Sequence, residues 1–344
     1  MSELAASTLP FLESLASIRT GFLTGLLNAL TWLGDEKLFV VISLIVFWCV
    51  SKKGGLYMLT TGFGVSSVGQ TLKMLFRVPR PWNLGDKPFA NADPVARGSS
   101  ANGTGEAGGI GKLIGKLLGS GADGWSFPSG HTLISVGTYG GMAAWFRQKW
   151  IRIAGIILAV IIPFSRLYLG VHTPIDILGG ALIALIFVLV LKPIFASGGN
   201  GKIRAILIGN TCLTLLLLIC MYATAPSGLS GEDIGNYASG IKNLWQLLGA
   251  CLAVLIAFEA DERWLHFETG AIWWAQILKV AGGSVIMLAL QMGIQKVLGY
   301  SSDHLTLENM TRMGVIAALA NLVALGTSMA VWPMTFRKFE KLGR

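Results

Sequence analysis

The chain has 344 residues, of which 53% are hydrophobic and 13% charged, and its mean hydropathy is +0.63. Soluble domains carry roughly a quarter charged residues, so a water-soluble globule is excluded and an all-α polytopic membrane protein is expected. The net charge of +9 does not point to nucleic acid, because Lys and Arg are scattered with no interleaved aromatic stripe; basic cytoplasmic loops account for it.

In chain order, residues 1–36 are read as an amphipathic N-terminal segment, within which 9–34 mix apolar positions with Arg19, Thr20, Asn28 and three glycines, a pattern that suits a membrane-parallel helix better than a span. No basic n-region with a small-residue cleavage site is read there, so a removable signal peptide is not expected. About nine transmembrane helices follow, near 37–51, 55–76, 130–147, 150–168, 175–195, 203–222, 243–259, 277–298 and 312–333. Between the second and third lies a Gly-rich insertion at 82–125, longer than a hairpin needs. Within it Ile110, Leu113, Ile114, Leu117 and Leu118 share one helical face and Lys112 and Lys116 lie off it. That pattern fits a short helix in the headgroup region or a linker. Residues 223–240 read as a turn-rich loop. Cys49, Cys212, Cys220 and Cys251 sit singly in apolar runs, with neither metal-ligand spacing nor a disulfide framework.

Alternating spans place "SKKGG" (51–55), "RQKWIR" (147–152), "GKIR" (201–204) and "RKFEKLGR" (337–344) on one side, against Lys242 and Arg312 on the other. The first side is read as cytoplasmic. Three unusual clusters then share the opposite face. "KMLFRVPRPW" (73–82) puts Lys73 and Arg80 seven residues apart, nearly on one helical face, with Pro79 and Pro81 ending the helix. "FPSGHT" (127–132) opens a span with Ser129, Gly130 and His131, and helix N-termini bind anions through their free N–H groups. "SRLYLGVHTPIDILGG" (165–180) joins two spans. Thr173 suits the N-cap, Pro174 the first helical position and Asp176 the first turn. Asp176, four residues beyond His172, is placed to hold an imidazole nitrogen. Ionisable groups at membrane depth are costly and mark function. Three cations, two histidines, a carboxylate and helix-start donors together suit a phosphoryl group, whose displacement depends on positioning and charge neutralisation.

The patterns Lys73…Arg80-Pro81, Pro128-Ser129-Gly130-His131 and Ser165-Arg166…His172…Asp176 resemble the type 2 phosphatidic acid phosphatase superfamily, which includes glucose-6-phosphatase and vanadium haloperoxidases. The resemblance implies a helical-bundle phosphatase core at 37–198, leaving 199–344 as an additional four-helix transmembrane region without an assigned role. It implies His172 as the nucleophile forming a phosphohistidine, Asp176 as its orienting carboxylate and His131 as the acid at the leaving oxygen. Lys73, Arg80, Ser129, Gly130 and Arg166 are implied as the phosphate-binding set. No metal and no cofactor is expected, the cations doing what Mg²⁺ does elsewhere.

The expected substrate is a membrane lipid phosphate or diphosphate reached from the bilayer, because the cluster sits at span ends near headgroup depth. A soluble sugar phosphate and a phosphotransferase reaction use the same residues and stay open; a non-enzymatic lipid transporter is the reading from another class. The expected setting is a multi-pass integral membrane protein, in a bacterial cytoplasmic membrane or an ER-type membrane, with its site on the non-cytoplasmic side. Oligomeric state is not read from the sequence.

Overall fold

The computed structural model describes residues 1–86, 89–93, 96, 124–301 and 305–341. The amphipathic helix expected at 110–118, and with it most of the 82–125 insertion, lies outside the described residues. In chain order the helices are α1 (Ser2–Ala6), α2 (Leu9–Ser17), α3 (Gly21–Thr31), α4 (Glu36–Cys49), α5 (Lys52–Phe76) and α6 (Gly130–Ser135). α6 runs through a π-helical stretch, Val136–Gly140, into α7 (Gly141–Trp145). There follow α8 (Lys149–Tyr168), α9 (Pro174–Ser197), α10 (Asn200–Ala223), α11 (Glu232–Ala260), α12 (Trp273–Val297), α13 (Met310–Gly326) and α14 (Phe336–Lys341). No strand occurs among the described residues.

Among the described residues, six helical stretches are long and apolar enough to cross a membrane: Lys149–Tyr168, Pro174–Ser197, Asn200–Ala223, Glu232–Leu265, Trp273–Val297 and Met310–Lys338. The chain is a multi-pass membrane protein. The expected count of nine is not reached by that measure, for reasons visible in the other three segments. α4 has 14 residues, about 21 Å at the α-helical rise, short of the ~30 Å hydrocarbon core. α5 has 25 residues but intersperses Gly62, Gly64, Ser66, Ser67, Gly69, Gln70 and Thr71. The third is broken into α6, a π stretch and α7.

Two further expectations change. Residues 1–36 form three short helices followed by a 3₁₀ turn at Trp32–Gly34, not one continuous helix. The 223–240 stretch is only half loop, because α11 already begins at Glu232. Glu232 and Asp233 stand in its first turn, where carboxylates favour the dipole. Tyr237, Ala238, Gly240 and Ile241 are buried, and that packing overrides the weak helix propensity of Gly235, Asn236 and Gly240.

The chain divides into two compact units. One comprises Met1–Phe39 and Leu72–Val188. Here α3 and α2 pack on α8. Ala5, Leu9 and Leu12 join Val78, Leu84, Phe89 and Phe127 in one buried cluster, while Leu27 joins Tyr168, Leu169 and Val171 in another. Burying a Leu or Phe side chain contributes about 1.5–3 kcal/mol. These clusters therefore anchor the N-terminal helices to the loops at the ends of α5 and α8.

The other unit comprises Val40–Thr71 and Leu189–Arg344. α11 pairs with α13, α10 with α11 and α12 with α13. Apolar side chains gain little from leaving lipid for protein, so polar contacts help to fix such pairs. Gln291 donates to Asn321 Oδ1 at 3.2 Å, and Asn321 donates to the Gln246 carbonyl at 3.2 Å. Ser67 and Thr214 hydroxyls meet at 2.9 Å. Lys52 pairs with Asp261 at 2.6 Å. The buried Lys279 ammonium donates to the Glu268 and Thr269 carbonyls at 3.2 and 3.1 Å and sits 4.6 Å from the Phe336 ring centroid. The free thiols are dispersed as expected: Cys251 buried, Cys49 half-buried, Cys212 and Cys220 exposed.

Candidate active site

All eight residues singled out from the sequence belong to the first unit. α9 sets the centre. It starts at Pro174, which cannot extend the helix backwards, with Thr173 just before it. Asp176 Oδ2 reaches back to accept the Thr173 backbone N–H at 2.7 Å, the return half of a capping box. That bond fixes the carboxylate beneath His172, whose Nδ1 lies 3.3 Å from Oδ2. Both are deeply buried, with 0% and 2% of their surface exposed. A buried carboxylate is tolerable only when donors and a helix N-terminus offset its lost hydration. Oδ2 has such donors, while Oδ1 has no hydrogen-bond partner among the described residues.

The sequence reading missed one of those donors. Ser126 Oγ donates to Asp176 Oδ2 at 2.5 Å and lies 3.2 Å from His172 Nδ1. A hydroxyl has one proton. With that proton on the carboxylate, Oγ presents only lone pairs to the imidazole, and the two nearest neighbours of Nδ1, at 3.2 and 3.3 Å, are acceptors. The network therefore assigns the proton to Nδ1 and the lone pair to Nε2.

Arg80 faces that lone pair. Its Nη1 stands 2.8 Å from Nε2 and 3.4 Å from Nδ1, and donates to the Val171 carbonyl at 3.0 Å. Its Nε donates to the Gly124 carbonyl at 3.0 Å. The expected shared helical face of Lys73 and Arg80 is corrected. α5 ends at Phe76, Arg77 adopts a left-handed φ of 45°, and Arg80 arrives on the non-helical segment that follows. Pro79 and Pro81 prevent the helix from continuing to Arg80. Lys73, in the last turn of α5, donates to the Trp125 carbonyl at 3.2 Å.

The 124–129 loop carries Ser126 and Ser129 and is pressed against α9. The Ser129 N–H donates to the Asp176 carbonyl at 3.1 Å, and its hydroxyl caps α6 by accepting from the Thr132 N–H at 3.4 Å. Gly179 permits this approach, since a Cβ there would stand 2.4 Å from the Phe127 ring. Gly130 faces open space. His131 is half-buried, within electrostatic reach of Arg166, His172, Arg80 and Lys73. Arg166, 1% exposed, donates from Nη1 to Thr31 Oγ1 at 3.0 Å, and its Nε has no partner among the described residues. Burial, followed by Arg80, Arg166 and Lys73, holds the His172 imidazole well below its ordinary pKa. The ring is therefore neutral at pH 7, within electrostatic reach of the Arg80 and Arg166 guanidiniums and the Lys73 amine.

The PAP2 superfamily matches residues 54–197, and the transmembrane extension of PAP2 superfamily phosphatases matches residues 245–344. An undecaprenyl-diphosphatase of Sulfolobus acidocaldarius is 46% identical over 59 residues, 17% of this chain and 28% of that protein. A lipid A 4'-phosphatase of Bacteroides thetaiotaomicron is 35% identical over 74 residues, 22% of this chain and 33% of that protein. The chain thus covers a third or less of the length of either relative. No solved structure matches the chain.

Proposed function

The chain belongs to the PAP2 superfamily, and we propose that it is an integral-membrane, metal-independent phosphatase acting on lipid phosphate monoesters or diphosphates through a phosphohistidine. The observation that carries this reading is the carboxylate-held, neutral His172 whose Nε2 lone pair faces Arg80. Histidine held this way is a competent nucleophile.

Arg80 Nη1 meets the Nε2 lone pair at 2.8 Å. An incoming phosphate offers the guanidinium charged acceptors, which make stronger hydrogen bonds than a neutral imidazole. The cation then turns to the phosphate and frees Nε2. Nε2 attacks phosphorus, the bond from phosphorus to the leaving oxygen breaks, and His131, which takes up a proton once the bound phosphate offsets Arg166, Arg80 and Lys73, gives that oxygen a proton. A water, its proton taken by the now neutral His131, then cleaves the P–N bond and releases phosphate and His172. Asp176 stabilises the positive charge that the ring gains on attack. Lys73, Arg80 and Arg166 neutralise the equatorial oxygens, with Ser129 and Gly130 donating from the α6 start.

Lipid is favoured over sugar phosphate on two grounds: Arg166, His172 and Asp176 stand at the adjoining ends of two apolar helices, and both relatives act, by name, on lipid-linked phosphate. The excess of basic residues in the loops on one side of the alternating spans supports a site on the non-cytoplasmic side. Phosphate release by detergent-purified protein from a panel of lipid phosphates, lipid diphosphates and a sugar phosphate tests this. Lipid esters should be hydrolysed with or without chelator; equal rates on the sugar phosphate, or loss of activity on chelation, would contradict the reading.

His131→Ala should slow alkyl phosphates by roughly 10²–10⁴-fold, the usual scale of general acid catalysis, and p-nitrophenyl phosphate far less. An alkoxide needs the proton and a nitrophenolate does not. Equal losses on the two esters would remove His131 from the acid role.

A further inference from the structure

Three site residues meet a part of the chain that lies before the family match at 54–197. Thr31 ends α3 and is 5% exposed; its Oγ1 accepts the Arg166 Nη1 hydrogen bond at 3.0 Å. Gly34, in the 3₁₀ turn that follows, lies against His131: a Cβ there would stand 3.3 Å from the imidazole Cδ2 and 2.8 Å from Ile162 Cγ2. Glu36 opens α4 within electrostatic reach of Lys73. The turn itself is pinned. The Tyr139 hydroxyl donates to the Leu33 carbonyl at 2.7 Å, and the Lys37 N–H donates to Asp35 Oδ1 at 2.8 Å.

Arg166 gives the argument its direction. Its guanidinium is buried, with Nη1 committed to Thr31 and Nε without a partner among the described residues. A buried donor left unsatisfied costs roughly 1–3 kcal/mol, so it is retained where an incoming group completes it. A guanidinium is planar and rigid, and anchoring one nitrogen therefore restricts where Nε can point. The group that Nε suits is an anionic oxygen, as on a phosphoryl group.

We propose that the Thr31–Glu36 turn is a positioning element of the phosphate site, in which Thr31 orients Arg166 so that Nε meets a phosphate oxygen and Gly34 leaves the room in which the His131 ring sits. Thr31 itself touches no reacting atom; it acts through Arg166. The proposal rests on the phosphatase reading and extends it to a segment outside the family pattern.

Purified wild type, Thr31→Val, Thr31→Ser and Gly34→Ala proteins test it, read by vanadate inhibition and by kcat and KM on a lipid phosphate and on p-nitrophenyl phosphate. Valine keeps the shape of threonine and loses the acceptor. Thr31→Val should weaken vanadate inhibition about tenfold, the scale of a hydrogen bond to a charged group, with a matching rise in KM. Thr31→Ser, which keeps the hydroxyl, should stay within about twofold of wild type. Gly34→Ala should lower kcat on the lipid ester more than on p-nitrophenyl phosphate. Thr31→Val inhibited like wild type, Thr31→Ser as impaired as Thr31→Val, or Gly34→Ala affecting both esters alike overturns the assignment. A wild-type protein that hydrolyses neither ester and is indifferent to vanadate overturns instead the phosphatase reading beneath it.

Discussion

His172→Ala is expected to lower kcat by at least about 10³-fold, because removing the proposed covalent nucleophile leaves only binding and charge stabilisation to act on a water. Asp176 and Ser126 hydrogen-bond to each other, and Lys73 and Arg80 donate to the backbone carbonyls of Trp125, Gly124 and Val171, independently of the ring. The variant should therefore fold and retain phosphate as a competitive inhibitor. Single-turnover measurements with a lipid phosphate separate loss of chemistry from loss of binding. A His172→Ala protein within tenfold of wild type, with phosphate still inhibiting, would reject the ring as nucleophile.

Asp176→Asn carries the second-largest expected effect and reads charge in isolation. Oδ2 accepts from the Thr173 N–H at 2.7 Å and from Ser126 at 2.5 Å, while Oδ1 has no partner among the described residues. An asparagine keeps both acceptor bonds by turning its amide nitrogen to the Oδ1 side. The fold around α9 is then preserved and the negative charge beside His172 is lost. In the proposed attack on phosphorus the imidazole gains positive charge, so kcat should fall roughly 10²–10⁴-fold with KM changed little. A variant that matches wild type in kcat, or that loses only KM, would show that the carboxylate holds structure and does not support the nucleophile.

Much of this site was legible because its parts are local. His172, Thr173, Pro174 and Asp176 follow helix-start chemistry, and the structure realises it: the first-turn carboxylate bonds back to the capping residue's N–H. The spans from α8 onward announce themselves by long apolar runs. What escaped the sequence is long-range. Ser126 meets Asp176 across 50 residues and Thr31 meets Arg166 across 135. A serine or threonine in an apolar chain carries no spacing signal that separates a helix cap from a site hydroxyl. The pairing of Lys73 with Arg80 failed as a helix-face argument because Pro79 and Pro81 act before the second turn is complete. The early start of α11 was hidden by Gly235 and Gly240, whose local preference is outweighed by packing around Tyr237 and Ile241.

The decisive measurement is rapid acid-free quenching of the purified protein with a phosphate-labelled lipid substrate, followed by mapping of the label. A label on His172, stable in alkali, lost in acid and absent from His172→Ala, is the expected result. Turnover at full rate with no labelled chain, or a label that persists in His172→Ala, would contradict phosphoryl transfer to that imidazole.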